Sequence, residues 1–211
     1  MESGSHDIAT LERLGGDPAL DFANTLGGLR EGPWDDEWLH TYGDVVAWAR
    51  HGGLIGDGEA ARLLDRAGAH PRAAAAAFRR AIALREQIHR VMAALAAGAT
   101  PAPEDLDALR AAQRNALAHA TLALRAPRRA DWAWDRAGDD LDRPLWPVAQ
   151  AAIDLLRSER LGRLKQCANC RWLFLDASRN ASRRWCSMAH CGIDAKVRAT
   201  RARRRAARRA P

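Results

Sequence analysis

The sequence predicts a mainly α protein of the α+β class: a helical N-terminal domain with a small β-hairpin, then a short α+β module that ends in a basic helix. Long segments between residues 42 and 117 repeat apolar residues at helical spacing and are bounded by glycine or proline. All four cysteines of the 211-residue chain lie between positions 167 and 191, in a stretch too short to fold around its own apolar core. We therefore expect two domains, at residues 8–160 and 161–211.

The N-terminal domain is expected to consist mostly of helices. A short helix or strand is predicted over residues 19–26, and helices over 42–50, 57–69, 71–97, 103–117 and 147–160. Pro71 suits the first turn of the longest helix, and Gly98 would end it. Residues 121–124 and 131–135 alternate in polarity across a Pro-Arg turn, which predicts a hairpin.

The cysteines have the spacing of a metal site. Cys167 and Cys170 are separated by two residues, fifteen residues follow, and Cys186 and Cys191 are separated by four. Two such pairs can hold one tetrahedral Zn²⁺, and four thiolates leave no open position for catalysis, so we predict one structural zinc ion. Disulfides are the alternative, but no signal peptide is evident and we expect a cytoplasmic protein with reduced thiols. A redox Cys-x-x-Cys would leave the second pair unexplained.

The residues around the cysteines predict the order of elements in the module. A tight knuckle at 167–170 is followed by a strand at 171–175, a polar turn at 176–182, a returning strand at 183–186 and a helix that begins between Ser187 and Cys191. This order resembles a treble-clef-like zinc finger. Trp172, Phe174 and Trp185 are expected to form its small core, although stacking on nucleic-acid bases is the alternative role for these aromatic rings.

Charge is distributed unevenly along the chain. The formal net charge is +7, and the residues from Arg157 onward contain sixteen Lys/Arg and three acids, or +13, which leaves −6 for the first 156 residues. A basic helix beside a zinc module predicts nucleic-acid binding, with DNA favoured over RNA, whereas a solvated basic tail is the alternative. No apolar run is long enough to span a membrane. The candidate nucleic-acid contacts are Arg183, Arg184, Lys196, Arg198, Arg201, Arg204 and Arg205.

Several segments resemble a known pair of domains. Residues 167–180, 183–188 and 191–192, with Lys196, resemble the CGNR zinc finger, and residues 20–26, the helix that contains Trp48, and 84–86 resemble the ABATE domain. The resemblance implies a stress-associated bacterial transcription regulator. The chain departs from the family signature at Ile193-Asp194, where the family has Asn-Arg. Zinc binding should survive this change, and Asp194 would favour the start of a helix.

A ligand pocket is a further hypothesis for the N-terminal domain. Asp21, Asn24 and Thr25 lie close together in sequence, and Arg85 is a cation on an otherwise apolar helix. They could line a site for a small-molecule effector. The alternative is that Asp21 or Asn24 caps a helix and that Arg85 pairs with a carboxylate such as Asp21. The histidines show no metal spacing among themselves, although His190 could compete with Cys191 for the metal.

We therefore interpret the chain as a zinc-containing nucleic-acid-binding protein, a DNA-binding transcription regulator whose N-terminal domain senses an effector or forms a homodimer. One alternative is an RNA- or tRNA-binding accessory factor. The other is an enzyme with its active site in the N-terminal domain, which ranks last because no nucleophile and base emerge from the spacing of the residues.

Overall fold

The computed structural model describes residues 7–126, 129–135 and 140–207. Within these residues the chain is mostly helical and has two small antiparallel sheets, which confirms the predicted fold class. The helices are α1 (Pro18–Ala23), α2 (Tyr42–His51), α3 (Asp57–Ala69), α4 (Pro71–Ala96), α5 (Pro103–Leu117), α6 (Trp146–Leu156) and α7 (Ile193–Ala207). The strands are β1 (Ala120–Ala126), β2 (Arg129–Trp134), β3 (Leu164–Gln166) and β4 (Leu173–Leu175). None of the described helices has both the length and the apolar character that a membrane crossing requires.

The helix ends follow the local sequence signals. Thr41 and Asp44 form a reciprocal capping box at the start of α2. Pro71 occupies the first turn of α4, and Gly98, which has a left-handed φ of +72°, follows its end. The expected helix over 147–160 is shorter, because Ser158 has extended backbone and its hydroxyl donates to the carbonyl of Leu155, which ends α6 at Leu156.

The main core forms around α4, which packs against α1, α2, α3 and α5. Its buried face presents Leu84, Ile88 and Met92. Helix α1 packs between α4 and α6, and Phe22 contacts Trp48 of α2 with ring centroids 4.8 Å apart. The short N-terminal segment that was predicted as helix or strand is therefore a buried helix, and it brings residues 24 and 25 to the centre of the protein.

The predicted hairpin is formed by β1 and β2, with Leu122 opposite Trp132. Trp134 lies at its base and packs toward Trp146 of α6, at a centroid distance of 6.5 Å. Turn residues 127 and 128 lie outside the described residues, as does Asp139, which forms a cluster of aspartates in the sequence with Asp140 and Asp142. Asp142 of that cluster forms an ion pair with Arg80 at 2.7 Å.

The second sheet corrects the predicted strand pairing. Strand β4 pairs with β3, which precedes the cysteine knuckle, with Leu164 opposite Leu175, and residues 183–186 do not form a strand. The buried carboxylate of Asp176 instead accepts the backbone N–H of Arg183, and the Lys165 ammonium donates to Asp176 and to the carbonyl of Arg183. The side chains of Asp176 and Lys165 thus form the hydrogen bonds to the backbone of Arg183 that a neighbouring strand would otherwise have formed.

Candidate metal centre and nucleic-acid interface

The four cysteines meet at one point. Their sulfur atoms all lie within 4.8 Å of one another, and the Sγ atom of Cys186 is 3.7 Å from those of Cys170 and Cys191. The thiols are free of disulfide bonds. Cys167 and Cys186 are buried, whereas Cys170 and Cys191 are partly exposed. Residues from the knuckle, from the loop after β4 and from the turn before α7 therefore form one candidate metal centre.

Backbone hydrogen bonds hold the knuckle in shape. The N–H of Cys167 donates to the carbonyl of Trp172, and the N–H of Asn169 donates to the Cys167 sulfur at 3.4 Å. The N–H of Ala168 donates to the carbonyl of Arg184, which ties the two halves of the cluster together. Phe174 is fully buried against Cys167 and Cys186, and Trp172 and Trp185 pack beside them. These contacts are those of the expected aromatic core.

The thiols interact too closely to ionise independently. The hydrogen bond with Cys170 lowers the pKa of Cys167, and the same pairing raises the pKa of Cys170. Four thiolates at this separation repel one another, so a divalent cation is needed to hold all of them in the charged form.

The residues fit zinc. With Zn–S bonds of about 2.3 Å, a tetrahedral Cys₄ site has sulfur atoms about 3.8 Å apart, close to the 3.7 Å contacts of Cys186. When bound, the ion would hold the four thiolates and cross-link the knuckle to the start of α7. His190 does not compete, because its exposed ring points to Glu12, with Nε2 3.4 Å from the carboxylate.

The candidate nucleic-acid contacts fall into two groups. Arg183 is half-buried, stacks over Phe174 at 4.7 Å and donates to the carbonyl of Cys186, so its guanidinium is engaged within the finger. Arg184 is exposed and lies over the half-buried Trp185 at 5.2 Å.

Helix α7 carries the second group and begins immediately after the turn that contains Cys191. Lys196, Arg198, Arg201 and Arg205 are exposed, as is Arg203, whereas the side chain of Arg204 lies outside the described residues. Arg198, Arg201 and Arg205 recur at helical spacing and share one face. The single acid of α7 is Asp194, which stands four residues before Arg198 on that side.

The finger is joined to the helical part by buried polar bonds. The amide of Asn24 donates to the carbonyl of Leu173 at 2.9 Å and accepts from its N–H at 2.8 Å. Arg171, which is fully buried, forms an ion pair with Glu86 of α4 at 3.0 Å. His89 Nε2 is 3.1 Å from the carbonyl of Arg171, and burial lowers the pKa of this histidine to about 4.

A loop of the N-terminal part also lies along the knuckle. The N–H of Arg171 donates to the carbonyl of Gly28, and the N–H of Arg30 donates to the carbonyl of Asn169. Leu29 and Cys170 form an isolated antiparallel bridge between these bonds. Gly28 has a φ of +111°, and a Cβ there would collide with the backbone of Pro33, so the loop requires glycine at this position.

The four residues of the ligand-pocket hypothesis do not all line one pocket. Asn24 holds Leu173, and the Thr25 hydroxyl donates to the carbonyl of Phe22. Arg85 is buried and pairs with Glu37 at 2.6 Å and with Glu86 at 3.0 Å, so the alternative pairing with Asp21 is wrong.

Asp21 lies elsewhere and accepts the backbone N–H of Gly15 at 2.8 Å. It lines a cavity of only about 20 Å³ beside Trp48, and burial raises its pKa to about 6. The structure thus uses Asn24, Thr25 and Arg85 in internal bonds and does not bring them together with Asp21 around one cavity.

Several residues that position the site were not recognised in the sequence. They are Glu37, Glu86, Lys165, Arg171 and Asp176. Arg171 is the first residue of the predicted strand and Asp176 follows its last, and their charge at the two ends of an apolar run is the one signal that could have marked them as buried partners. Glu37 lies in an irregular loop, where sequence pattern carries no such information.

Comparison with known families agrees with the geometry. A family model described as "Putative stress-induced transcription regulator", named ABATE, matches residues 16–159, and the CGNR zinc finger model matches residues 163–204. No curated protein matches the chain. The two matches follow one another in the predicted order and include all four cysteines in the second. The chain therefore belongs to the ABATE family, and a CGNR zinc finger follows its ABATE domain.

Proposed function

We propose that the protein is a DNA-binding transcription regulator with one structural Zn²⁺ that holds the N-terminus of a basic recognition helix in place. The ion would be bound by Cys167, Cys170, Cys186 and Cys191. The observation that carries this proposal is the position of α7. It begins immediately after Cys191 and bears exposed cations along its described length. The family assignment supports the same role. The ABATE part, residues 8–160, would sense an effector or form a dimer, and residues 161–211 would bind the polymer.

The zinc-bound finger would act as a rigid base for the helix. Buried hydrogen bonds from Asn24 at the end of α1 and the ion pair of Arg171 with Glu86 of α4 hold the finger against the helical part, so α7 would leave the protein in a defined direction. The face with Arg198, Arg201 and Arg205 would neutralise phosphates and release their counterions. Exposed Arg184, stacked on Trp185, would add a contact from the finger itself. Arg183 would contribute through the finger fold, because its guanidinium is engaged there.

We favour duplex DNA over RNA because a single basic helix fits the major groove of B-form DNA, whereas the major groove of A-form RNA is too deep and narrow for a helix. Base edges or phosphates along the groove would be in reach of the same side chains.

The test is a salt series of binding to duplex DNA and to a structured RNA. Arg198, Arg201 and Arg205 are replaced together by alanine, and the matched control replaces three exposed arginines on α4 and α5, Arg72, Arg79 and Arg114. We expect the first variant to make the negative slope of log K against log salt shallower by up to about 3, at about 0.9 per phosphate contact. The control variant should leave the slope unchanged. An unchanged slope in the first variant would refute the role of α7, and tighter binding to RNA at every salt concentration would assign the protein to RNA instead.

A further inference from the structure

A cavity of about 390 Å³ lies beside the metal centre, between the N-terminal segment and the finger. Its lining combines Leu11, Leu14 and Trp38 of the N-terminal part with Trp172 and three of the four cysteines of the finger, Cys170, Cys186 and Cys191. The volume is within the range of sites that bind small molecules. Two indole rings and three cysteine sulfur atoms give this cavity the mainly apolar lining that is common in small-molecule sites.

The charged groups of this cavity are of one sign. Glu12 and Asp36 are carboxylates, and Cys170, Cys186 and Cys191 contribute thiolate sulfur when the metal is bound. Four thiolates around one Zn²⁺ leave a net charge of −2 by formal count, which adds to the charge of the acids. Among the described residues that line the cavity there is no lysine or arginine, and the only basic group is the ring of His190, which lies 3.4 Å from Glu12.

The carboxylate of Asp36 has a fixed place in the wall. Its oxygen occupies the space that a side chain at position 27 would need, and Gly27 donates its N–H to the carbonyl of Asp36 at 2.7 Å. Glycine at this position therefore lets the carboxylate lie against the backbone at the edge of the cavity. Cys170 and Cys191 are partly exposed and line the same cavity, so carboxylate and cysteine sulfur groups both border its apolar lining.

We propose that this cavity binds a small organic cation, an ammonium group on an aromatic or branched apolar body. The apolar body would pack between Trp38 and Trp172, where an indole face also favours a cation. The ammonium would lie toward Asp36 and Glu12. Such a ligand touches the N-terminal segment and the finger at once, and so its binding would change how firmly the two are joined. This inference deepens the effector-sensing role proposed above and names its site and ligand class.

The experiment compares the affinities of three molecules of similar shape for the zinc-loaded full-length protein. The probes are 3-phenylpropylamine, 3-phenylpropan-1-ol and 3-phenylpropionate, titrated by calorimetry at pH 7. We expect the amine to bind at least about tenfold more tightly than the alcohol, and the carboxylate to bind least, because a charge of the favoured sign in a partly enclosed site is worth about a factor of ten. Equal binding of the amine and the carboxylate, or no binding of the amine at millimolar concentration, would overturn the proposal.

The site is checked with a matched pair of variants. Asp36→Asn keeps the shape of the side chain and removes the charge in the wall, and Asp35→Asn removes the same charge from the exposed neighbouring residue. We expect amine affinity to fall about fivefold to tenfold in Asp36→Asn and to be retained in Asp35→Asn. Zinc content and thermal unfolding, measured on both, establish that the finger is intact. Equal affinities in a folded, zinc-loaded Asp36→Asn would place the ligand elsewhere and refute the assignment.

DNA binding is measured separately on the same samples, so that the two proposals fail independently. A protein that binds DNA but not the amine leaves the function proposed above standing and removes this inference. A protein that binds the amine at this cavity but neither DNA nor RNA keeps the ligand site and removes the nucleic-acid role.

Discussion

The side-chain amide of Asn24 bonds both backbone polar groups of Leu173, which lies 149 residues later in the chain. It donates to the carbonyl and accepts from the N–H, as a neighbouring strand would. Both residues are buried. A single asparagine at the end of α1 thus supplies a strand-like partner to β4 of the finger.

Replacing Asn24 by alanine should therefore destabilise the protein by about 2 to 4 kcal/mol, because the N–H and carbonyl of Leu173 would remain buried without partners. Urea unfolding measures the loss, and a chromogenic chelator should remove zinc faster from the variant, since its finger is less firmly held. The matched control is Asn115→Ala on the exposed surface of α5, which should change stability by less than about 0.5 kcal/mol. Equal effects of the two substitutions would contradict the structural role of Asn24.

Metal removal should unfold the finger, since its core consists of Phe174, two half-buried indoles and the cysteines themselves. Elemental analysis should find about one zinc per chain in the native protein, and the buried-ligand variant Cys186→Ser should bind far less. His190→Ala is the control and should keep its zinc, because His190 points to Glu12. Full zinc content in Cys186→Ser would show that the metal is held by other groups.

The stability of the protein should fall in mild acid through His89. Burial lowers its pKa from the ordinary 6.5 to about 4, so in the native state the ring stays neutral while the unfolded chain takes up a proton. The stability that the neutral ring contributes is present in full above pH 6.5 and is lost as the pH falls toward 4, by about 3 kcal/mol at 1.36 kcal/mol per pKa unit.

The measurement for His89 is urea unfolding at pH 7 and at pH 5. His89→Gln should lose less stability than the native protein over this interval, because glutamine does not titrate. His40→Gln, which removes an exposed histidine, is the control and should follow the native curve. Parallel curves for native protein and His89→Gln would refute the assignment of the acid sensitivity to this ring.

Asp194 should weaken the binding of polyanions. It is the one acid of α7 and stands on the side of Arg198 and Arg201, at a position where the family signature has arginine. Asp194→Arg changes the charge by two, so we expect affinity for duplex DNA at low salt to rise about tenfold and the salt slope to steepen by about 1. Asp65→Arg makes the same charge change at an exposed position of α3, and it should leave the slope unchanged. A similar gain from both would indicate an effect of net charge alone.

The helices were predictable because their apolar periodicity and their end signals agree. Helix α3 has its predicted bounds, and α4, which begins at Pro71, ends one residue earlier than expected, before Gly98. The cysteine cluster was predictable for a related reason: its signal lies in the spacing of one residue type along a short stretch.

The strand pairing of the finger was not predictable from the sequence. Strand β3 has three residues, Leu164, Lys165 and Gln166, which is too few to show an alternating pattern. The middle residue of β3, Lys165, donates its ammonium hydrogens to Asp176 and to the carbonyl of Arg183, so side chains rather than a neighbouring strand bind the backbone of Arg183. These are contacts between side chains and backbone across a loop, and they have no period in the sequence.

The partners of Arg85 were not predictable for a similar reason. The sequence offered Asp21 as the carboxylate, but Glu37 reaches Arg85 from an irregular loop. Asp21 is instead used at the turn before α1, where it accepts the N–H of Gly15. Which of several carboxylates meets a buried cation depends on the path of the loop, and loops of this kind follow packing rather than local propensity.

The loop that carries Leu29 affects how readily the finger can pair with strands of other chains in solution. The backbone of a small hairpin offers unpaired N–H and carbonyl groups along its margin, which attract strands of other chains. Here the carbonyl of Gly28 and the N–H of Arg30 already occupy the margin at Arg171 and Asn169. The finger is thereby shielded from intermolecular sheet growth by a segment that lies more than a hundred residues away, and a CGNR module cut free of its ABATE domain would present that margin to its neighbours.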